Sequence, residues 1–237
     1  MQIQVILKLN RPLCVPFNYN YQLQSAVYSK LAEINESDFW HDNGYGEKNK
    51  FKAFVLSSLK GNYNIIDKHL CFTDTVSFEL RSPVFEFCDA FQRSLELNPH
   101  IKLFDTVLDV YGANIINKHI NSNSVVFETV TPVVVRSTLP DGYTLYYSPA
   151  DVEFVKGIKQ NFIKKYSAVY GECPTEIEVN PLGIHKKVVT NYKGTWINAY
   201  NGRYELKGDS KSLEFIYNSG LGIKNAQGFG MVKIISE

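Results

Sequence analysis

The sequence predicts an α+β protein made of two tandem β-α-β-β-α-β units, the split βαβ arrangement of ferredoxin-like domains. Three observations predict it. Hydrophobic periodicity switches repeatedly between two, the period of a strand, and three to four, the period of a helix. The order of these segments is the same on either side of one polar stretch, NKHINSNS at 117–124. The chain has 237 residues, 44% of them hydrophobic and 21% charged, enough to bury two small cores or one large one. The first unit is expected to take residues 1–120 and the second 121–237. Only the order of elements suggests a duplication, since the two halves share no visible sequence identity.

The opening residues alternate, with Ile3, Val5, Leu7 and Leu9 apolar, and predict a strand. Residues 18–34 place Leu23, Ala26, Val27, Leu31 and Ile34 at helical spacing, with Asn20 as a candidate cap and Tyr28 on the flank of the stripe. A polar loop with Gly44 and Gly46 follows. Residues 50–59 and 69–81 read as two strands joined by the turn-like KGNYNIID, 83–97 as a helix with Pro83 in its first turn, and 102–116 as a strand. After the polar stretch come β structure at 124–137, a long helix at 148–171 and a β-rich run at 176–208. A short helix at 210–220 and a final strand at 228–236 complete the second unit.

Composition excludes several classes. No apolar run approaches the roughly 18 residues of a membrane span, and MQIQVILKLNR lacks the basic and apolar regions of a signal peptide. The protein is therefore expected in the cytoplasm, with no membrane partner. Cys14, Cys71, Cys88 and Cys173 have no CxxC spacing and are expected to be buried free thiols. No His, Asp or Glu cluster has metal-ligand spacing, so neither a metal nor another cofactor is expected. Overall charge is balanced, with 25 Lys+Arg against 24 Asp+Glu. Residues 1–128 carry 12 basic and 14 acidic side chains, and residues 129–237 carry 13 and 10, which biases the second half mildly toward an anionic partner.

The strongest local signal is GLGIKNAQGFG at 220–230, with Gly220, Gly222, Gly228 and Gly230 around Lys224 and Asn225. Glycines let backbone N–H groups approach a phosphate, and such loops can bind anions. This loop follows a helix C-terminus, whereas the dinucleotide fingerprint and the P-loop open a helix, so both of those readings fail. The other reading is a turn needed only to reverse the chain.

At this motif the sequence resembles the CRISPR repeat-processing endoribonucleases, a branch of the repeat-associated RNA-binding superfamily. The glycine pair, the Lys-Asn step and the Gly-Phe-Gly run into a last strand are the family's C-terminal motif. NYNYQLQSAVYSKL and WHDNGYGEKNKFKAFVLSSL are similar to its first helix and its catalytic-loop-to-strand segment. The resemblance is strong over 16–59 and 218–235, and elsewhere it rests on element order. It implies two ferredoxin-like, RRM-like domains, and cleavage of CRISPR repeat transcripts into guide RNAs. In the family a loop His is the general acid/base, a helix Tyr orients the 2′-hydroxyl, and a following Lys assists the phosphate. By position these are His41, Tyr28 and Lys52, with Lys50 the alternative lysine. The implied partners are repeat RNA as precursor and product, other subunits of a surveillance complex, and a second copy of the chain.

Chemistry supports the same set independently. The 2′-hydroxyl of RNA already lies beside its phosphate, so the protein need only move protons and neutralise charge. His titrates near neutrality and Lys can stabilise a developing anion. On residue type alone, a loop His is usually solvated and a Tyr beside an apolar stripe is usually a core-edge aromatic. His69, His100, His119 and His185 have no partner at diagnostic spacing. Lys156, Lys159, Lys164 and Lys165 on the long helix read as a solvated face. Lys186, Lys187 and Lys193 interleave with Tyr192, Trp196, Tyr200 and Tyr204, which suits either a single-stranded RNA groove or a hairpin with aromatics in the core. Two rival functions remain: a repeat-RNA-binding protein that does not cut, and a structural subunit of a surveillance complex.

Overall fold

The computed structural model describes residues 1–35, 40, 44–46 and 50–237. The first unit runs β1 (Gln2–Lys8), β2 (Leu13–Pro16), α1 (Asn20–Ala32), β3 (Val55–Leu56), β4 (Tyr63–Ile66), β5 (His69–Phe72), β6 (Thr75–Arg81), α2 (Phe85–Leu97), β7 (His100–Leu103) and β8 (Thr106–Ile116). Its main sheet has the order β3-β6-β1-β8-β7. Without the edge strand β7, the second, third, first and fourth strands of a split βαβ unit lie side by side in that order. β1 is central because β6 and β8 pair with its two edges, both antiparallel. The alternation Ile3, Val5, Leu7 puts three fully buried side chains on one face. Against this core α1 buries Leu23, Val27 and Leu31, and α2 buries Phe87, Phe91 and Leu95, each an i, i+4 stripe.

The second unit runs β9 (Ser124–Thr129), β10 (Arg136–Thr138), β11 (Thr144–Tyr146), α3 (Val152–Tyr170), β12 (Glu178–Tyr192), β13 (Thr195–Lys207), α4 (Ser210–Ser219), a 3-10 turn at Asn225–Gln227, and β14 (Val232–Ser236). Its sheet order, β12-β13-β9-β14, is again second, third, first, fourth. The β12–β13 hairpin reverses at Lys193 and Gly194, both at positive φ, as a two-residue hairpin turn requires. Its distal part leaves the sheet and packs Tyr192, Ile197 and Ala199 on Val134 and Phe229.

Several expectations need correction. Residues 69–81 form two strands, and the turn-like 60–67 contains β4, which pairs with β5 across Asp67 and Lys68 at positive φ. β4 is exposed at every residue, so no burial-driven alternation marks it. Residues 102–116 likewise hold a hairpin, β7 to β8, rather than one strand. Only Val55 and Leu56 of 50–59 join a ladder. Asn20 does not cap α1; its amide donates to the Gln227 carbonyl at 3.1 Å, across to the other unit. The cysteines also differ from expectation. Cys14 and Cys71 face each other on β2 and β5 and are joined in a disulfide, and Cys173 is exposed; Cys88 alone is a buried thiol.

Polar contacts, buried around Arg81, join the two units. Arg81 on β6 pairs with Glu79, donates to the Val232 carbonyl at 2.6 Å and lies 3.8 Å over the Tyr217 ring. Tyr217 donates to Gln2 at 3.0 Å, and the Met1 ammonium donates to Asn218 at 3.0 Å. At the far end Tyr192 bonds Gln24, and Thr190 donates to Asn18. Among the described residues no helix is long and apolar enough to cross a membrane.

Candidate functional site

The glycine-rich segment leaves α4 at Gly220 and returns into β14 as a closed loop. Leu221 N–H donates to the Gly230 carbonyl at 2.8 Å, Gly230 N–H to Pro132, and Ile223 N–H to Val134. Gly220, Gly222, Gly228 and Gly230 all have φ between 70° and 83°, and all four are buried. The space a side chain would need is filled by protein: a Cβ on Gly230 would lie 2.0 Å from the Leu221 carbonyl oxygen, and one on Gly222 2.5 Å from that of Val134. These glycines serve close packing of the loop on itself, on Val134 and on Asn20 of α1. Asn225, also buried, donates to the Leu221 and Phe229 carbonyls across the loop.

The loop forms one wall of a cleft of about 720 Å³. Gln24 of α1, residues 50–52, Arg136 of β10, and Asn161, Lys164 and Lys165 of α3 supply the other walls. Lys50, Lys52, Arg136, Lys164, Lys165 and Lys224 put six cationic side chains in the lining, and among the described residues no carboxylate joins them. Such a surface is built for a polyanion. Lys224 is half-buried in the left-handed region and donates to Gln227 at 3.1 Å. Burial, and then the Arg136 charge, hold its pKa below the usual lysine value.

The family model for the CRISPR-associated protein Cas6, C-terminal, matches residues 115–234, just over half of the chain. The chain belongs to the Cas6 family. The CRISPR-associated endoribonuclease Cas6 1 of Methanocaldococcus jannaschii is 28% identical over 240 residues, covering 98% of this chain and 92% of that protein. The CRISPR-associated endoribonuclease Cas6 of Pyrococcus furiosus is 26% identical over 231 residues, covering 95% and 85%. A solved structure described as a RAMP protein binding different RNA substrates superimposes with a TM-score of 0.85 at 25% identity, with all of both chains covered.

In this Cas6-family chain the residues expected to act on RNA fall into four groups. Lys52, Lys50, Lys224 and Asn225 meet at the cleft, Asn225 as a buried staple of the loop. Tyr28 is half-buried on α1, one turn beyond Gln24, with its ring edge-on to Phe54 at 5.6 Å. His41 lies outside the described residues, as does Lys48. The neighbouring Trp40 is buried against Phe87 at 5.1 Å, and Tyr45 and Phe51 exchange backbone hydrogen bonds, so the described parts of 40–51 fold back onto the first unit's core. Lys186, Lys187 and Lys193 do not line the cleft. Lys186 lines a separate shallow groove with Arg203, and Lys193 sits over the Tyr21 ring at 4.1 Å. Of the interleaved aromatics, Tyr204 and Tyr192 are core residues, Tyr200 is half-buried, and only Trp196 is well exposed.

Sequence reasoning missed Arg136, Asn161 and Gln24, which carry no local motif. It also misread Lys165, which is 4% exposed rather than on a solvated face. A signal was present. Phe154, Ile158, Phe162 and Tyr166 form the buried stripe of α3, and position 165 lies three residues after 162 and seven after 158, on that stripe.

Proposed function

We propose that this chain is a metal-independent endoribonuclease that cuts CRISPR repeat transcripts into guide RNAs in the cytoplasm. The observation that carries the proposal is the cleft in which six cationic side chains line the junction of the glycine loop, α1 and residues 50–52. Membership of the Cas6 family, and relatives named as endoribonucleases, support the same reading. Residues 1–120 supply the catalytic groups and residues 121–237 the glycine loop.

In this reading the 2′-hydroxyl of the nucleotide before the cut attacks the adjacent phosphate, and the 5′-oxygen of the next nucleotide leaves. His41 transfers the proton, Tyr28 orients the hydroxyl, and Lys52 stabilises the charge on the phosphorane. No metal is needed to make the nucleophile, because the substrate carries it. The products are a 2′,3′-cyclic phosphate and a 5′-hydroxyl. Mass analysis of the fragments from a labelled repeat tests this directly. Fragments with 3′-hydroxyl and 5′-phosphate ends would refute the mechanism. Tight binding with no fragments would favour a repeat-RNA-binding protein that does not cut.

A further inference from the structure

Lys165 is a buried cation with no counter-ion among the described residues. Its ammonium donates to the Gly220 carbonyl at 2.6 Å, the Asn225 side-chain oxygen at 3.1 Å and the Gly222 carbonyl at 3.3 Å. These three oxygens belong to the loop that carries Lys224. The ammonium also lies 5.4 Å from the centre of the Phe51 ring, which Lys50 and Lys52 flank in sequence. Among the described residues the charged groups lining the cleft around it are Lys164 on its own helix, Lys224 on the loop, Arg136 on β10, and Lys50 and Lys52, all of the same sign. Burying a lysine without a carboxylate is costly, and removing water from the cleft makes it more so. An anion in the cleft would supply the missing countercharge.

We propose that Lys165 is a positioning residue of the RNA cleft: it fixes the glycine loop through three oxygens, and RNA phosphate completes its charge balance. The proposal rests on the cleft being the RNA site. Burial pushes the Lys165 ammonium down to about 7. A neutral amine has two hydrogens for three oxygens, so deprotonation both loosens the seat and removes a charge from the cleft. RNA affinity must therefore fall as pH rises through neutrality, and binding at pH about 8 must take up a proton, because linkage is reciprocal. Stability runs the other way. Between about 7 and the ordinary lysine value near 10.4 the unfolded chain holds this proton and the folded one does not, so unfolding becomes harder as pH rises. A residue that merely packed would not give opposite trends in stability and RNA affinity.

The test uses repeat RNA with a 2′-deoxy nucleotide at the cut, so that only binding is read. Affinity is measured from pH 6 to 9 for wild type, Lys165→Met and Lys165→Arg, with calorimetry at pH 8 in two buffers of different ionisation enthalpy. Wild type should lose about tenfold in affinity across neutrality, the size of one charged contact. Lys165→Met should bind at the weaker level at every pH, and Lys165→Arg, permanently charged, should show no such loss. Wild-type binding at pH 8 should show buffer-dependent heat equal to a substantial fraction of one proton. A pH profile of Lys165→Met parallel to wild type, or no proton uptake by wild type, would overturn the proposal alone. Should the methionine variant not fold, the wild-type proton count and the arginine profile still decide. Failure of wild type to bind repeat RNA at any pH would overturn the reading of the cleft as well.

Discussion

Replacing Gly230 by alanine separates a self-packed loop from one whose glycines exist to admit a ligand. Gly230 has φ 74°, and its Cβ would lie 2.0 Å from the Leu221 oxygen and 2.7 Å from the Asn225 amide nitrogen. Gly142 gives the control: φ is 86°, and no atom lies within 4 Å of its Cβ position. Both alanines meet the left-handed penalty of about 1–2 kcal/mol. At Gly230 the clash is with backbone and must also displace the Leu221 to Gly230 hydrogen bond or the Asn225 staple, about 1–3 kcal/mol for each buried group left unpaired. Gly230→Ala should thus cost about 4 kcal/mol and Gly142→Ala about 1–2, out of a total of about 5–15. Urea unfolding reads the difference directly, and for a chain of this length the melting temperatures should separate by roughly 5–10 °C. Equal stability of the two variants, with RNA binding lost only in Gly230→Ala, would refute the packing argument and restore the glycines as ligand contacts.

Within the proposed catalytic set, His41→Ala should abolish cleavage while leaving repeat binding near wild type, since a general acid/base acts on the transition state. Gel analysis of labelled repeat measures both, and cutting within a few-fold of wild type would remove His41 from the site. Tyr28→Phe and Lys52→Ala should be milder, and a larger loss in Lys50→Ala would move the lysine's role to position 50. Lys224→Ala should weaken RNA binding and lower the slope of log affinity against log salt by about one phosphate contact. An unchanged slope in a folded variant would mean that Lys224 does not face the RNA.

Much of the fold was legible because burial and periodicity agree in its central elements. Ile3, Val5 and Leu7 alternate and are the middle of a sheet; Phe154, Ile158 and Phe162 step by four and are the buried face of α3. β4 was illegible for the opposite reason: Tyr63, Ile65 and Ile66 are exposed, so its pairing follows from the Asp67 and Lys68 turn and not from a hydrophobic pattern. The disulfide depends on Cys14 and Cys71 meeting across two strands 57 residues apart in sequence, which spacing cannot reveal. In the site, the loop was visible as glycines, but its reason was not. Gly222 and Gly230 are glycine because Val134 and Leu221 carbonyls come close, and that is a tertiary fact. Arg136 and Asn161 reach the cleft from separate elements for the same kind of reason. Charge alone suggests an exposed Lys165, whereas its helical position places it among the buried side chains of α3.

In the proposed reaction the substrate's own 2′-hydroxyl is the nucleophile, and this chain's side chains only position it, move protons and neutralise charge. The most direct test is the cleavage rate of a repeat RNA carrying one 2′-deoxy nucleotide immediately before the cut, measured with and without EDTA. The single deoxy substitution should stop cleavage with little change in affinity, because one hydroxyl is a small part of a phosphate-dominated interface. EDTA should leave the rate on all-ribose RNA unchanged. Cleavage of the deoxy substrate, together with loss of activity in EDTA, would mean that a metal-activated water attacks instead, and would refute internal attack by the 2′-hydroxyl.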